Sequence, residues 1–393
     1  MATLGENTLG QTGGPLFYRV ANADEIGFVA PQNRKGDALR TWVRSLSGFQ
    51  KEALIRSART GLTWRLASDE GAYLNGHDAA PCPLAFLTCG MIASFMNEIQ
   101  ALAKMRGAPI AALRLTQENY YTMQGSMRDR TMVGGAENIE LKVQIDCDLD
   151  DAALQAFLVD ATFASPLNGL MRGAIPSLFK LAKNGRRLPT AAARELDAPL
   201  LPQPERSGTA LERIEPELAL LEKGALSPAK RVAKGTAAGG SSLTDHQDRR
   251  LNPGATAVLR ADGMTEITQM LYSPRGSSFT FLSSEDGRAP DAATLISAGI
   301  GFCFMTQFGR FASMLDLDLP EYSILQDTHF SLGGASGCTG TAGAADPCET
   351  HVFLRTSEPD AMAQEMLDVA EKTCFLHAFC RTDLKTRLSV ERL

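Results

Sequence analysis

The stretch PDAATLISAGIGFCFMTQFGRFASML, residues 290–315, decides the reading of this chain, because PCPLAFLTCGMIASFMNEIQALAKM at 81–105 repeats it without a gap. An offset of 209 places Gly90 on Gly299, Phe95 on Phe304, Met96 on Met305, Ala103 on Ala312 and Met105 on Met314. Both stretches read as long apolar helices. Where the second has Cys303, the first has Ser94.

The register continues downstream. ALRLTQENYYTMQG (112–125) lies over EYSILQDTHFSLGG (321–334), and ENIELKVQI (137–145) lies over DPCETHVFL (346–354), two strand pairs separated by Gly-rich turns. A second helix follows in each half, with Asp148-x-x-Asp151 and Ser357-x-x-Asp360 read as capping boxes at its start. Short final strands are expected at 178–182 and 386–390. Matches that fall on apolar, Gly and cap positions over such a length indicate a tandem duplication.

The expected organisation is therefore an N-terminal extension (1–60), a first domain (61–184), a linker (185–252) and a second domain (253–393). Short strands are expected at 16–20 and 26–30. An amphipathic helix is expected over 37–57, where Leu39, Trp42, Val43, Leu46, Phe49, Leu54 and Ile55 fall roughly on one face. The linker is rich in Pro, Ala, Arg, Gly and Ser, with one helical-looking segment at 210–224.

Composition bounds the function. The 393 residues suit two domains. The 44% apolar content, 21% charge and net charge of −6 lack the basic excess of a nucleic-acid binder. The first residues have neither the basic nor the apolar region of a signal peptide, and no apolar run reaches the roughly 18 residues of a membrane span, so a cytoplasmic protein is expected. Eight cysteines without a secretory signal read as reduced thiols rather than a disulfide framework.

Two positions per half carry the chemistry. Cys303 and Cys374 are 71 residues apart, as are Ser94 and Ser165, so the two thiols differ between the halves as a pair. That pattern suits thiols that work jointly, while two buried cysteines serving only as packing remain the alternative. Pro166 should break the first-half helix near Ser165, so Cys374 should open a new helical turn whose free N–H groups face its sulfur. Cys303 lies too deep in its helix for such help and needs a cation, for which Arg260, Arg275 and Arg288 are candidates. His377, one turn after Cys374, could serve as the base of a Cys–His hydrolase or transferase. A zinc site from Cys374, His377 and Cys380 would fan its ligands too widely along one helix, and no metal is expected. Cys338 and Cys348 flank a Gly/Ala-rich hairpin and could form a redox pair across it, but solvated loop thiols are the preferred reading.

At these residues the chain resembles the OsmC/Ohr family. The helix ATLISAGIGFCF (293–304) is similar to the family's P-x-x-L-x-x-A-x-x-x-C-x, and CFLH (374–377) and SPLN (165–168) stand where the family carries C-P-x-S. The resemblance implies an α+β fold of two OsmC-like domains, each an antiparallel sheet packed on two long helices, arranged as a pseudo-dimer. It implies thiol-dependent reduction of organic hydroperoxides, with Cys303 peroxidatic and Cys374 resolving. The first half, lacking both cysteines, would supply wall residues to one active site: Met91, Phe95, Tyr120 and Tyr121, beside Phe304. No bound cofactor is implied, only an external dithiol reductant, in the family often a lipoyl protein. The expected partners are a small apolar hydroperoxide and that reductant, not nucleic acid or membrane. The chain departs from the family in having Ala293 where the Ohr branch has a Glu, and Phe375 and His377 in place of Pro and Ser. A Cys–His hydrolase and a non-catalytic ligand-binding protein are the competing functions.

Overall fold

A computed structural model describes residues 8–12, 15–204, 211–230 and 241–393. Its first half runs β1 (Gly36–Ser45), β2 (Lys51–Ser57), β3 (Thr63–Ser68), α1 (Pro83–Arg106), β4 (Ile110–Glu118), β5 (Ile139–Cys147), α2 (Asp151–Ala164), α3 (Asn168–Arg172) and β6 (Leu178–Lys183). Its second half runs β7 (His246–Leu259), β8 (Thr265–Ser273), β9 (Ser277–Ser283), α4 (Ala292–Leu315), β10 (Glu321–Ser331), β11 (Glu349–Arg355), α5 (Asp360–Thr373), α6 (Phe375–Arg381) and β12 (Thr386–Arg392). The same element order thus occurs twice, joined by other short strands.

Each sheet draws strands from both halves. One has the internal order β6-β11-β10-β1-β2-β3 and the other β12-β5-β4-β7-β8-β9, so the two orders correspond strand for strand with the halves exchanged. Neither half closes a sheet alone, and one hydrophobic cluster spans both. The sheets are mixed rather than purely antiparallel: β6 runs parallel to β11, and β12 parallel to β5.

The two long helices form because Pro83 begins α1 and Gly107, at φ 62°, ends it, while Asp291 caps α4 by accepting from Thr294 N–H at 2.7 Å. They cross between the sheets. A Cβ at Gly299 would stand 2.9 Å from Leu87 N and 3.1 Å from Phe86 Cβ, and one at Gly90 would stand 2.8 Å from Ala292 O and 2.5 Å from Ile296 Cγ1. Only glycine lets the backbones approach so closely. Among the described residues, α4 is the one helix long and apolar enough to cross a membrane, but 89% of its apolar window is buried inside the fold, which accounts for that composition.

Several local expectations are corrected. Residues 37–57 form the β1–β2 hairpin, turned at Gly48 with φ 63°, not a helix. Both faces of this hairpin are covered: Leu39, Val43 and Ile55 enter the main core, while Trp42 and Leu54 pack with Tyr18, Val20 and Phe28 on the other side. A strand buried on both faces loses its alternation, and its apolar residues then mimic a helical stripe. The second half has the counterpart hairpin, β7–β8, which begins inside the presumed linker. Residue 210 lies outside the described residues; the rest of 210–224 contains no helix, since Pro216 intervenes and Leu221–Leu226 pairs with β9. Tyr18–Val20 is a strand, but 26–30 is not. The cap of α2 is Asp150, not Asp148, and α5 follows Pro359 without a side-chain cap, its Asp360 carboxylate instead meeting Lys183 and Arg186.

Candidate active site

Residues 71 apart in sequence meet in space in both halves. Cys303 lies mid-way along α4, and Cys374 sits between α5 and α6 with its sulfur 3.6 Å from that of Cys303. At the related place, Ser94 of α1 and Ser165 at the end of α2 share a hydroxyl hydrogen bond of 2.8 Å. The break that delivers Cys374 is local: its backbone leaves the helical region at φ −71°, ψ 119°, and it becomes the N-cap of α6. Its sulfur accepts the His377 backbone N–H at 3.5 Å, the new-turn geometry expected from Pro166 in the other half.

Both thiols are buried, and Cys303, unlike Cys374, lines a small cavity at the junction of the two halves. Leu84, Met123, Leu251, Leu271 and Phe375 make its apolar wall. Its polar groups are Glu70, Thr306, Gln307, Arg310 and Arg249, and Cys82 adds a third thiol to the lining. The Ser94 site opens on a separate hollow whose lining includes Arg59, Glu98 and Glu285.

Burial, joined by the hydrogen bond to Cys374, pushes the Cys303 thiol well above its usual range, against the backbone N–H of Leu376. Cys82 is pushed up to about 12 by burial and by the Glu70 charge. Glu70 accepts from Thr306 Oγ1 and Tyr73 OH, each at 2.8 Å; burial raises its carboxyl, opposed by the Lys51 ammonium, which burial itself lowers. Arg310 is brought down to about 9 by burial and by the neighbouring Arg249.

The sequence identified the thiols but not their surroundings. Arg260 pairs with Asp262 and Glu266, Arg288 with Asp286, and Arg275 donates to Ser227 O; none lines the cavity. The cations that do are Arg310 and Arg249. Arg310 had a legible signal, lying two helical turns after Cys303 on the same face; Arg249 and Glu70 reach the site only through the tertiary fold. The expected wall residues are also displaced. Met91, Phe95, Tyr121 and Phe304 are core residues outside the lining, although the Tyr121 ring backs Phe375 at 5.9 Å. Tyr120 hydrogen-bonds Glu118 and Glu140 beneath the Arg250 guanidinium, at another surface hollow. Cys348 is buried rather than solvated and hydrogen-bonds Cys380, so it does not pair with the exposed Cys338.

His377 is not a base for Cys374. Its ring lies 4.6 Å from that of Phe304 and 5.6 Å from that of Phe179, and neither ring nitrogen has a hydrogen-bond partner. Burial lowers it to about 3, so the folded chain holds it neutral. The unfolded chain takes up a proton there below pH 6.5 that the fold refuses until about pH 3. Stability is therefore complete above that window and falls with decreasing pH through it, by up to about 1.4 kcal/mol per unit. His351, lowered to about 4 chiefly by burial, adds the same sign. Denaturation between pH 4 and 6 should show the slope decrease in His377→Phe, a variant that should leave thiol chemistry within about threefold of wild type because no contact to sulfur passes through the ring.

Comparison with known proteins now bears on this geometry. Residues 285–389 match the family described as OsmC-like protein, a span that opens just before α4 and takes in both Cys303 and Cys374. A crystal structure of an OsmC-like hydroperoxide resistance protein from Jannaschia sp. CCS1 is 22% identical, covering 29% of this chain and 75% of that one with a TM-score of 0.20. No curated protein matches the chain. The part of this chain that holds the thiol pair, residues 285–389, is thus similar to the OsmC-like proteins.

Proposed function

We propose that this protein reduces organic hydroperoxides with the Cys303 and Cys374 thiols. The observation that carries the proposal is the pair itself, two free sulfurs 3.6 Å apart of which only Cys303 reaches the apolar cavity. Cys303, as thiolate, attacks the terminal oxygen of RO–OH; the O–O bond breaks, the alkoxide takes a proton and leaves as alcohol, and Cys303 becomes a sulfenic acid. The Cys374 sulfur then displaces the sulfenic oxygen as water and closes an S–S bond of about 2.05 Å. Its place between two helices, rather than within one, lets it make that approach. An external dithiol returns both residues to thiols by exchange.

The repeated element order and the shared sheets support reading the chain as a pseudo-dimer of two duplicated units. In that reading the Ser94–Ser165 site is the related site without thiols, and turnover occurs once per chain. Reduced thiols throughout fit a reducing compartment such as the cytoplasm.

The test is hydroperoxide consumption with a dithiol, followed by peptide mass spectrometry. One equivalent of cumene hydroperoxide should yield one Cys303–Cys374 disulfide, and no such disulfide or sulfenic acid would sink the proposal. The raised Cys303 thiol also fixes the pH profile. Because thiolate attacks and burial keeps the thiol protonated, kcat/KM should climb with a log slope of about 1 from pH 6 to 9.

A further inference from the structure

We infer that Gln307 orients the peroxide in the Cys303 cavity: its side-chain oxygen accepts a hydrogen bond from the O–H of an organic hydroperoxide and holds that oxygen against the Cys303 sulfur. The inference rests on the peroxidase reading above and names the group that recognises the reactive end of the substrate.

Gln307 is 2% exposed, lies one turn after Cys303 on α4 and lines the same cavity. Its Oε1 is buried, and no donor among the described residues reaches it. A buried acceptor in that state costs stability unless a ligand supplies the donor.

The other half shows the same position satisfied by the protein itself. The 209 offset sets Glu98 in the place of Gln307, and Glu98 lines the Ser94 hollow as Gln307 lines the cavity of Cys303. There the turn at 333–337 occupies the carboxylate. Ala335 N and Ser336 N donate to Glu98 Oε2 at 2.8 and 3.2 Å, and Ser336 Oγ donates to Oε1. The residues that match Ala335 and Ser336 are Ser126 and Met127, and their amides are committed elsewhere. Ser126 N donates to Thr131 Oγ1 at 3.0 Å and Met127 N to Asp245 O at 3.1 Å. Neither is left for Gln307, so its oxygen is kept for what enters the cavity.

The spacing suits a peroxide. Side chains four residues apart on a helix share a face, with Cβ atoms about 5–6 Å apart. One oxygen fits between them, at about 2.8 Å from Gln307 Oε1 and within about 3.5 Å of the sulfur. Of the two peroxide oxygens only the terminal one carries a proton, so an acceptor here selects the oxygen that the thiolate attacks. That oxygen keeps its proton as the S–OH forms, the O–O bond breaks, and the alkoxide leaves toward the apolar wall and is protonated to alcohol. An amide suits this place better than the carboxylate of Glu98, since a second negative charge would oppose the thiolate.

The test compares two reagents on the full reduced chain, with Cys303 modification followed by peptide mass spectrometry. Cumene hydroperoxide brings an O–H donor; methyl methanethiosulfonate also reacts with thiolate but has no donor. Gln307→Met, similar in volume, should slow Cys303 oxidation by the hydroperoxide about tenfold, the worth of one hydrogen bond, and change the methanethiosulfonate rate less than about twofold. Its urea midpoint should equal or exceed that of wild type, because the variant removes an unpaired buried oxygen. Gln307→Leu should repeat all three results. Equal slowing of both reagents, or an unchanged peroxide rate, overturns the inference and leaves the peroxidase reading standing. A lowered midpoint in both variants, down to failure to fold, overturns it in favour of a structural role for the amide. Wild-type Cys303 that takes the methanethiosulfonate but is not oxidised by hydroperoxide removes the peroxidase reading and this inference together.

Discussion

Cys303→Ser is expected to abolish dithiol-supported hydroperoxide turnover, lowering kcat/KM by roughly 10³-fold or more. The reason is the unequal exposure of the two sulfurs. Cys374 is fully buried and absent from the cavity wall, so it cannot substitute as the attacking group. A serine hydroxyl at 303 would hold nearly the same space, as Ser94 does in the other half, but it does not attack peroxide oxygen. Cys374→Ser should behave differently. One equivalent of peroxide should still be consumed and leave a sulfenic acid on Cys303, trapped by dimedone and read by mass spectrometry, with no intramolecular disulfide. Undiminished turnover in Cys303→Ser would move the chemistry to another thiol, with Cys82 the first to examine because it lines the same cavity.

The largest stability effect is expected at the helix crossing. Gly299→Val should destabilise the fold by about 3 kcal/mol, the upper range for overpacking a dense core. Its Cβ would meet backbone atoms of the facing helix, Leu87 N at 2.9 Å and Pro83 O at 3.2 Å, which no rotamer change relieves. Gly90→Val should act similarly through Ala292 O. Because α1 and α4 hold the two sheets together, urea denaturation should show a lower midpoint with an unchanged slope. A loss below about 1 kcal/mol would mean that the helices separate easily and that the glycines mark no close approach. By contrast, Gly185, at φ 79° with open space around it, should tolerate a small side chain sterically and pay only for its backbone conformation.

The sequence located the parts that depend on short-range chemistry. Glycine, proline and cap residues fix where α1 and α4 begin and end, and the 209 offset aligns the two helices in the sequence. The 71-residue spacing singled out Cys303 and Cys374, because a thiol pair that differs between halves as a pair leaves a mark in the sequence itself. Hairpin 37–57 resembles a helix in sequence because burial on both strand faces erases the period-two alternation, a property of what covers the strand rather than of its residues. Which strands pair could not be read either. β10 takes β1 as its neighbour, and β4 takes β7, because each half supplies an incomplete sheet whose exposed edge is satisfied by the other half. The same exchange brings Glu70 and Arg249, residues far from Cys303 in sequence, to its cavity. The sequence by itself determined the repeated helices and the thiols they carry; the tertiary structure alone decided the charge, shape and access around those thiols, since those follow from long-range strand pairing that leaves no local signature.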